Sequence, residues 1–329
     1  MRQVLTAVMR GLLVAAVMAT ATAQAQNFPS RDITFIVPFN PGGSTDPLGR
    51  AFAAQLEKAL PGNINVENRA GGSATIGTNL VVRAKADGYT MGLGDSAALA
   101  YQPLVNSNLA YKSPDDYQPL VKLADVPALL LVRPDAPWKN FEEFLADAKN
   151  KPGKIRVAVS GVRSISDLVI QQLNRSADVK LATVPFTGGG GEVLLSVMGG
   201  RVEAGIGYGG NPIAQAQAGK LKVLAVFAKG TYPLAPEATS VPDAGYNATL
   251  PASYSVIAPK GMPEDLLNKL VAASQKAVQT SEFQAFAQKN GYIIDSKNPE
   301  ATASELRALG EEFSGLIQWL DQAKAGAAK

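Results

Sequence analysis

The stretch "PFNPGGSTDP" places two glycines and several short polar side chains directly after the apolar run "ITFIV". Glycine permits positive φ, so successive backbone N–H groups can turn inward and form an anion-binding nest. Two glycines and two hydroxyls also exceed what a tight turn requires. We therefore interpret this loop as half of a binding site for a small anion, with the candidate residues Gly42, Gly43, Ser44, Thr45 and Asp46.

Asp46 also has a purely structural interpretation. A helical spacing of apolar residues begins after it, and Pro47 suits the first helical position, where its missing N–H would be unpaired anyway. Asp46 would then be the N-cap and accept hydrogen bonds from amides of the next turn. The sequence leaves both roles, helix cap and ligand contact, open for this residue.

A second loop, "VSGVRSIS", offers the hydroxyls of Ser160 and Ser164, while Gly161 permits close approach of the backbone. The spacing of Ser164 and Asp167 is also that of a capping box, which is the structural alternative for both residues. Arg163 is the single cation in the candidate loops. We predict that its guanidinium binds a ligand carboxylate bidentately, with a solvated surface arginine as the alternative.

Two further glycine-rich loops, "PFTGGGG" and "GYGGNP", supply more uncharged hydrogen-bonding groups. We select Thr187 and Gly188 from the third loop, and Tyr208 and Asn211 from the fourth, as candidate ligand contacts. Tyr208 either stacks on a ligand or packs between the halves of the protein. None of the four loops has the spacing of a phosphate-binding P-loop or of a dinucleotide-binding motif.

Strands alternate with helices along the chain, and each candidate loop joins a strand to a helix. The first two strands are predicted over Ile33 to Val37 and Ile64 to Asn68, and a helical stripe of apolar residues follows the first. The same alternation returns in the second half of the chain. This pattern is typical of parallel α/β sheets, in which ligands bind beyond the carboxyl ends of the strands.

Two extended apolar passages, "VPALLLVRPDAPWKNFEEF" and "LPASYSVIAPKGMPEDLL", flank the second α/β group. We interpret them as strands that cross between two lobes. Domain 1 would then be discontinuous and comprise residues 27–126 plus 251–329, and domain 2 would comprise residues 127–250. Two crossings imply a cleft and a hinge between the lobes.

The 329-residue chain contains no cysteine and no histidine. These absences exclude disulfides, a thiolate nucleophile, a Cys- or His-ligated zinc site and a Ser-His-Asp triad. The serine of "GDSAA", Ser96, therefore has no histidine to activate it. A net charge of +3 gives no indication of nucleic-acid binding. We predict no metal, no cofactor and no catalytic residue.

The N-terminus has the order of a secretory signal peptide. Arg2 and Arg10 precede the apolar stretch "GLLVAAVMATATA". The residues "AQA" then offer a small-x-small cleavage site that ends at Ala25. The apolar run is shorter than the roughly 20 residues that span a bilayer. We therefore predict that residues 1–25 are a cleaved signal and that the mature chain is exported to the periplasm.

Several segments together resemble one family. "FPSRDITFIVPFNPGGSTDPLGR", "VENRAGGSATIGTNLVVRAKADGYTMGLGDSAA", "VPFTGGGGEVLLSVMGGRVEAGIG" and "AGKLKVLAVFAK" are similar, in this order, to the extracytoplasmic solute receptors of the tripartite tricarboxylate transporter type, the Bug family. The resemblance implies a type II periplasmic-binding-protein fold of two α/β lobes joined by two crossover strands, which closes on a small solute. It also implies a monomer that delivers di- or tricarboxylates, amino acids or aromatic acids to one large and one small integral membrane protein.

The family holds one carboxylate through backbone amides and water, and this carries over to the first and second loops. The resemblance also places Ser96, Ala97 and the candidates of the third and fourth loops near the ligand. The chain departs from the family in having Asp167 where histidine is common, Thr187 where a cation is common, and no tryptophan near Ser253.

Two other functions remain as alternatives. An exported enzyme on this scaffold would need an acid–base pair, for which Asp46 and Asp167 are the candidates. A receptor that delivers its solute to a signalling partner would have the same sequence features.

Overall fold

The computed structural model describes residues 28–327, in which two six-stranded sheets form the centres of two lobes. The predicted signal peptide lies outside the described residues. In the first sheet β1 (Ile33–Val37) pairs parallel with β2 (Ile64–Asn68) and β3 (Thr90–Asp95), and β11 (Ala252–Pro259) pairs antiparallel with β3 and β4 (Tyr117–Val126). Its strands, in spatial order, are β12 (Ile293–Ile294), β4 (Tyr117–Val126), β11 (Ala252–Pro259), β3 (Thr90–Asp95), β1 (Ile33–Val37) and β2 (Ile64–Asn68).

The second sheet repeats this mixed arrangement. β6 (Arg156–Val159) pairs parallel with β7 (Ala182–Pro185) and β8 (Ala204–Tyr208), and β5 (Ala128–Val132) pairs antiparallel with β8 and β9 (Lys222–Val226). The spatial order is β10 (Thr239–Ser240), β9 (Lys222–Val226), β5 (Ala128–Val132), β8 (Ala204–Tyr208), β6 (Arg156–Val159) and β7 (Ala182–Pro185). The predicted α/β architecture with two lobes is confirmed.

Helices cover the sheets and bury the apolar stripes that the sequence predicts. Leu48, Phe52 and Leu56 recur every four residues on the first helix and are fully buried, and the Phe52 ring packs on Phe35 of β1. The helices are α1 (Thr45–Ala59), α2 (Thr75–Val82), α3 (Gln102–Val105, preceded by the π-helical turn Ala97–Tyr101), α4 (Phe141–Asn150), α5 (Ile165–Ala177), α6 (Gly190–Met198), α7 (Gly210–Gln217), α8 (Glu264–Val278), α9 (Ser281–Lys289) and α10 (Pro299–Ala327). Among the described residues, no helix is both long and apolar enough to cross a bilayer.

The chain passes twice between the sheets. It leaves the first sheet after Val126 and enters the second at Ala128, and it returns between Ser240 and Ala252. These passages support the domain division at residues 126/127 and 250/251, which stays a prediction. The interpretation of "WKNFEEF" as extended chain is wrong, because Asn140 caps α4 by accepting a hydrogen bond from the N–H of Glu143 (2.9 Å).

A buried lysine ties the first sheet to the C-terminal helix. The side chain of Lys122 on β4 is 3% exposed, and its Nζ pairs with carboxylates of Asp125 (3.0 Å), Asp295 (2.9 Å) and Glu305. The hydrogen bond to Glu305 joins β4 directly to α10. The three acids lie close enough together to suggest a metal site, but the ammonium groups of Lys122 and Lys297 already pair with them.

Candidate ligand-binding site

A cavity lies between the two lobes, where the first turns of helices from both lobes meet. The strands β1, β3, β6 and β8 end at its walls, as expected for a ligand site in α/β sheets. Its lining residues are Phe39, Gly43, Ser44, Thr45, Asp95 and Tyr254 from the first lobe, and Ser160, Ile165, Gly190, Leu194, Ile206, Gly207, Tyr208, Asn211 and Pro212 from the second.

The first candidate loop is braced by tyrosines of its own lobe. Thr45 Oγ1 donates to Tyr254 Oη (3.2 Å), and Ser44 Oγ shares a hydrogen bond of 3.1 Å with the same atom. Tyr292 Oη donates to the backbone carbonyl of Ser44 (2.6 Å). The two tyrosines therefore set the position at which α1 begins and the direction of its first N–H groups. Tyr254 lies on a crossover strand, and sequence reasoning missed it.

Asp46 does not cap its helix. The helix α1 begins at Thr45, so Pro47 is its third residue and Ser44 takes the cap position, without a capping hydrogen bond from its side chain. The Asp46 carboxylate accepts hydrogen bonds from Arg50 Nε (3.0 Å) and Asn68 Nδ2 (2.7 Å). The predicted cap role is wrong, because an i,i+4 ion pair takes the carboxylate instead. Asp46 is not among the residues that line the cavity.

The carboxyl group of Asp95 forms part of the cavity wall. Asp95 ends β3 and is 2% exposed, and its Oδ1 accepts a hydrogen bond from the N–H of Ala98 (2.7 Å). Burial raises the pKa of Asp95 to about 6, against the lowering effect of the N–H groups of Ala98 and Ala97. The motif "GDSAA" predicts a role only for its serine, and Asp95 was not among the predicted site residues. The signal available was an acid at the carboxyl end of a buried strand.

Tyr208 contributes a buried hydroxyl to the opposite wall. The residue is partly exposed, but its Oη is buried and has no hydrogen-bond partner among the described residues. Burial raises the pKa of Tyr208 well above its usual value, and the nearby Tyr254 and Asp95 raise it further. The structure thus brings Tyr208 to the cavity, as predicted for a contact residue, next to two residues that were not predicted.

In the second loop the structure separates a cavity residue from capping residues. Ser160 lines the cavity, and its Oγ lies 2.9 Å from the Oγ of Ser166. Ser164 is the N-cap of α5 and accepts a hydrogen bond from the N–H of Asp167, whose carboxylate accepts one from the N–H of Arg163 (2.7 Å). The capping interpretation is therefore confirmed for Ser164, whereas Asp167 binds the N–H of Arg163, one residue before the cap.

Arg163 does not line the cavity. Its side chain borders a separate groove with Tyr101, Asp167 and Trp319, and its backbone carbonyl accepts a hydrogen bond from Gln102 Nε2 (3.2 Å). The structure gives no support to the predicted pairing of Arg163 with a ligand carboxylate. It equally separates Asp167 from the cavity, so Asp46 and Asp167 do not form an acid–base pair there.

Glycines of the candidate loops lie where the lobes touch. Asn211 Nδ2 donates to the carbonyl of Gly42 across the cleft (2.6 Å). A Cβ atom at Gly43 would lie 3.4 Å from Cα of Gly190, and one at Gly161 would lie 2.7 Å from Oγ of Ser73, in the other lobe. These glycines therefore permit close approach of the two lobes.

Four other candidates lie outside the cavity wall. Ser96 Oγ accepts a hydrogen bond from the N–H of Ser253 (3.4 Å), and Ala97 begins the buried π-helical turn. Thr187 is exposed, and the N–H of Gly188 donates to Glu192 (2.7 Å). These residues support the loops around the site.

The cavity is small in this closed arrangement. It has a volume of about 30 Å³ for the centre of a water-sized sphere, which is room for one or two waters. A dicarboxylate needs more space than this. The lobes must therefore separate, at least in part, before such a ligand enters.

Comparison with known proteins identifies a family and several sequence relatives. The family model for the tripartite tricarboxylate transporter family receptor matches residues 48–306. BugT of Bordetella pertussis is 29% identical over 311 residues, which cover 94% of this chain and 95% of BugT. A UPF0065 protein of Pseudomonas sp. (strain P51) is 30% identical over 312 residues, which cover 92% of this chain and 91% of that protein.

Solved structures agree with the fold. MatC from Rhodopseudomonas palustris with bound malate has a TM-score of 0.82 at 28% identity, covering 88% of this chain and 100% of MatC. The periplasmic binding protein BugD also has a TM-score of 0.82, at 27% identity, covering 88% and 98%. An R. palustris protein with adipate has the same TM-score at 25% identity, covering 88% and 97%. The predicted periplasmic-binding-protein fold is confirmed.

Proposed function

Since the chain belongs to the tripartite tricarboxylate transporter receptor family, we propose that it is a periplasmic receptor that binds a small carboxylate between its lobes. One observation carries the proposal. The helices α1, α5, α6 and α7 have their first turns at the cavity, which Thr45, Ile165, Gly190 and Asn211 line. Helix N-termini present unpaired N–H groups and partial positive charge, so their convergence from both lobes favours an anion.

The proposed site holds its ligand without a basic side chain. Neither lysine nor arginine is among the described residues that line the cavity. Backbone N–H groups and the hydroxyls of Ser44, Thr45 and Ser160 supply neutral donors. Such donors avoid the desolvation cost of a buried counter-ion and suit a protein that must also release its ligand.

Lobe closure would couple ligand binding to recognition by a membrane partner. A ligand that contacts both lobes binds the closed state better than the open one and therefore shifts the population toward closure. The malate- and adipate-bound relatives support a carboxylate as this ligand. A transporter of one large and one small membrane protein is the proposed partner, with the receptor acting as a monomer. A signalling partner is the alternative.

We propose that the chain is not an enzyme. Among the described cavity residues the titratable side chains are Asp95, Tyr208 and Tyr254, which include a single carboxyl group. The pair of carboxyl groups considered for catalysis, on Asp46 and Asp167, does not line the cavity. A ligand recovered chemically unchanged after long incubation, as measured by mass spectrometry, is the expected result.

A thermal-shift screen with mono-, di- and tricarboxylates, followed by calorimetry, tests the proposed function. A carboxylate present at 100 times its Kd should stabilise the protein by about 2.7 kcal/mol by mass action. Esters of the same acids lack the charge and should give no shift. If no carboxylate changes the unfolding temperature or gives a calorimetric signal, the proposal is wrong.

A further inference from the structure

Asp95 is a buried acid without a cationic partner. None of the ion pairs among the described residues includes it, and its partners are the backbone N–H groups of Ala97 and Ala98. Such hydrogen bonds favour the ionised form of a carboxyl group. An ionised carboxylate in a dry cavity is costly unless a positive charge pairs with it. Among the described residues no lysine or arginine lines the cavity, so a ligand is the remaining source of positive charge.

The groups that face Asp95 are hydrogen-bonding hydroxyls. Tyr254 is its direct neighbour across the antiparallel pair β3–β11, so both side chains lie on one face of the sheet. Tyr208 provides a second phenol from the other lobe, and its Oη has no hydrogen-bond partner among the described residues. Tyr111 is also close enough to Asp95 for the charge of that carboxylate to raise the pKa of the Tyr111 phenol. Each phenol oxygen can accept a hydrogen bond. This side of the cavity therefore suits a donor group.

The start of α1, in contrast, requires a hydrogen-bond acceptor from the ligand. Tyr254 Oη reaches Ser44 and Thr45 at the start of α1, where the proposed carboxylate site begins. Side chains directly opposite on paired strands have Cβ atoms about 5 Å apart. Tyr254 is therefore both the cross-strand neighbour of Asp95 and a hydrogen-bond partner of the first residues of α1. A ligand that carries a carboxylate and an ammonium group on the same carbon matches this arrangement.

We propose that Asp95 selects, among carboxylates, ligands that carry an ammonium group on the carbon next to the carboxylate, as α-amino acids do. The inference rests on the proposed carboxylate-binding function. In the bound state the ligand carboxylate lies at the N-terminus of α1, and its ammonium donates to Asp95 and to the hydroxyl of Tyr208.

Matched acids that differ in one substituent test this selection by calorimetry. Each set contains an amino acid, its hydroxy acid and the unsubstituted acid: aspartate, malate and succinate; glutamate, 2-hydroxyglutarate and glutarate; phenylalanine, phenyllactate and phenylpropionate. In the set that fits the cavity, the amino acid should bind about 10- to 100-fold more tightly than the unsubstituted acid, as expected for a charge-assisted hydrogen bond. Equal or tighter binding of the unsubstituted acid overturns the inference and leaves the carboxylate receptor intact.

The variant Asp95→Asn keeps the size of the side chain and removes its charge. It should weaken binding of the amino acid by about 10- to 100-fold. Its affinity for the unsubstituted acid should change by less than about 3-fold. Asp167→Asn is the matched control, because Asp167 is also buried and accepts a backbone N–H but lies outside the cavity; it should bind as the wild type does. An unchanged preference in Asp95→Asn overturns the inference.

The pH dependence of the unmodified protein gives a test that needs no variant. Because burial raises the pKa of Asp95 to about 6, the amino acid should bind up to tenfold more tightly per pH unit as the pH rises toward that value and Asp95 ionises. The phenols that face Asp95 titrate far above this range. Affinity that falls with rising pH would mean that a protonated Asp95 donates to the ligand, and it overturns the inference. If none of the nine acids binds, the inference fails, and the wider screen of mono-, di- and tricarboxylates decides whether the carboxylate-binding function fails with it.

Discussion

Gly43 lies where the lobes touch, so enlarging its side chain should act on closure. A Cβ at this position would lie 3.4 Å from both Cα and N of Gly190, at the N-terminus of a helix in the other lobe. An alanine side chain at this position would therefore be at the limit of normal van der Waals contact. The two methyl groups of valine would overlap the opposing backbone. Gly43 has no positive φ, so Gly43→Val adds this steric conflict without the strain of a left-handed backbone.

The conflict exists only when the lobes are closed. Overpacking a tight contact costs about 1–3 kcal/mol, which corresponds to roughly 5- to 150-fold weaker binding of a ligand that requires closure. Calorimetry with the best-binding carboxylate measures this loss. Small-angle X-ray scattering should show that ligand reduces the radius of gyration of the wild type but not that of Gly43→Val.

Gly315 provides a control for Gly43→Val. It lies on α10, where an added Cβ meets nothing within 4 Å, so Gly315→Val should leave affinity and compaction unchanged. Wild-type affinity and wild-type compaction in Gly43→Val would refute the reasoning that this contact belongs to the closed state.

Four further predictions concern other parts of the structure. Tyr254→Phe removes the phenol that braces the hydroxyls of the first loop, and it should weaken carboxylate binding several-fold, for about 1 kcal/mol; unchanged calorimetric affinity would contradict this. Lys122→Ala removes the buried ammonium that pairs with Asp125, Asp295 and Glu305, of which the last two keep Lys297 as a partner. It should lower the free energy of unfolding by about 3 kcal/mol in urea titrations; a loss below about 1 kcal/mol would mean that the cluster behaves like a surface pair. Burial alone would raise the pKa of Asp295 and Glu305, but hydrogen bonds from their lysine partners lower both below the usual 3.8 and 4.5. Their stabilisation is therefore present at neutral pH and is lost on acidification below about pH 4.5, so an unfolding temperature that stays constant there would count against it. Arg163→Ala should change carboxylate affinity by less than twofold, since Arg163 borders a separate groove; a large calorimetric loss would place its side chain in the site after all.

The positions of strands and site loops followed directly from sequence pattern. The predicted first and second strands coincide with β1 and β2, because a short apolar run favours a buried strand and alternation of apolar and polar residues favours a strand with one covered face. The carboxyl-end rule then selected loops that do border the cavity. Local pattern is sufficient for this because strand-to-helix connections in α/β folds are short and end at one edge of the sheet.

The direction of individual side chains did not follow from pattern. Asp46 turns to Arg50 and Asn68, the latter 22 residues further along the chain. Arg163 has a φ of 57°, and its side chain borders a groove outside the cavity. Each direction depends on partners that are distant in sequence or on an unusual local backbone. Charge and loop position alone therefore did not predict where these two side chains point.

The sequence by itself determined the α/β class, the two passages between lobes, the absence of histidine and cysteine chemistry, and the glycines and hydroxyl groups of the site loops. Composition and periodicity are properties of the chain, so no three-dimensional information was needed for them. Only the tertiary structure decided that Asp95, Tyr208 and Tyr254 converge in one cavity and that the loop glycines lie at the contact between lobes. These residues lie on different strands and in different lobes. Their proximity, and the perturbed ionisation of Asp95 that results from burial, exist only once both sheets have packed and the lobes have come together.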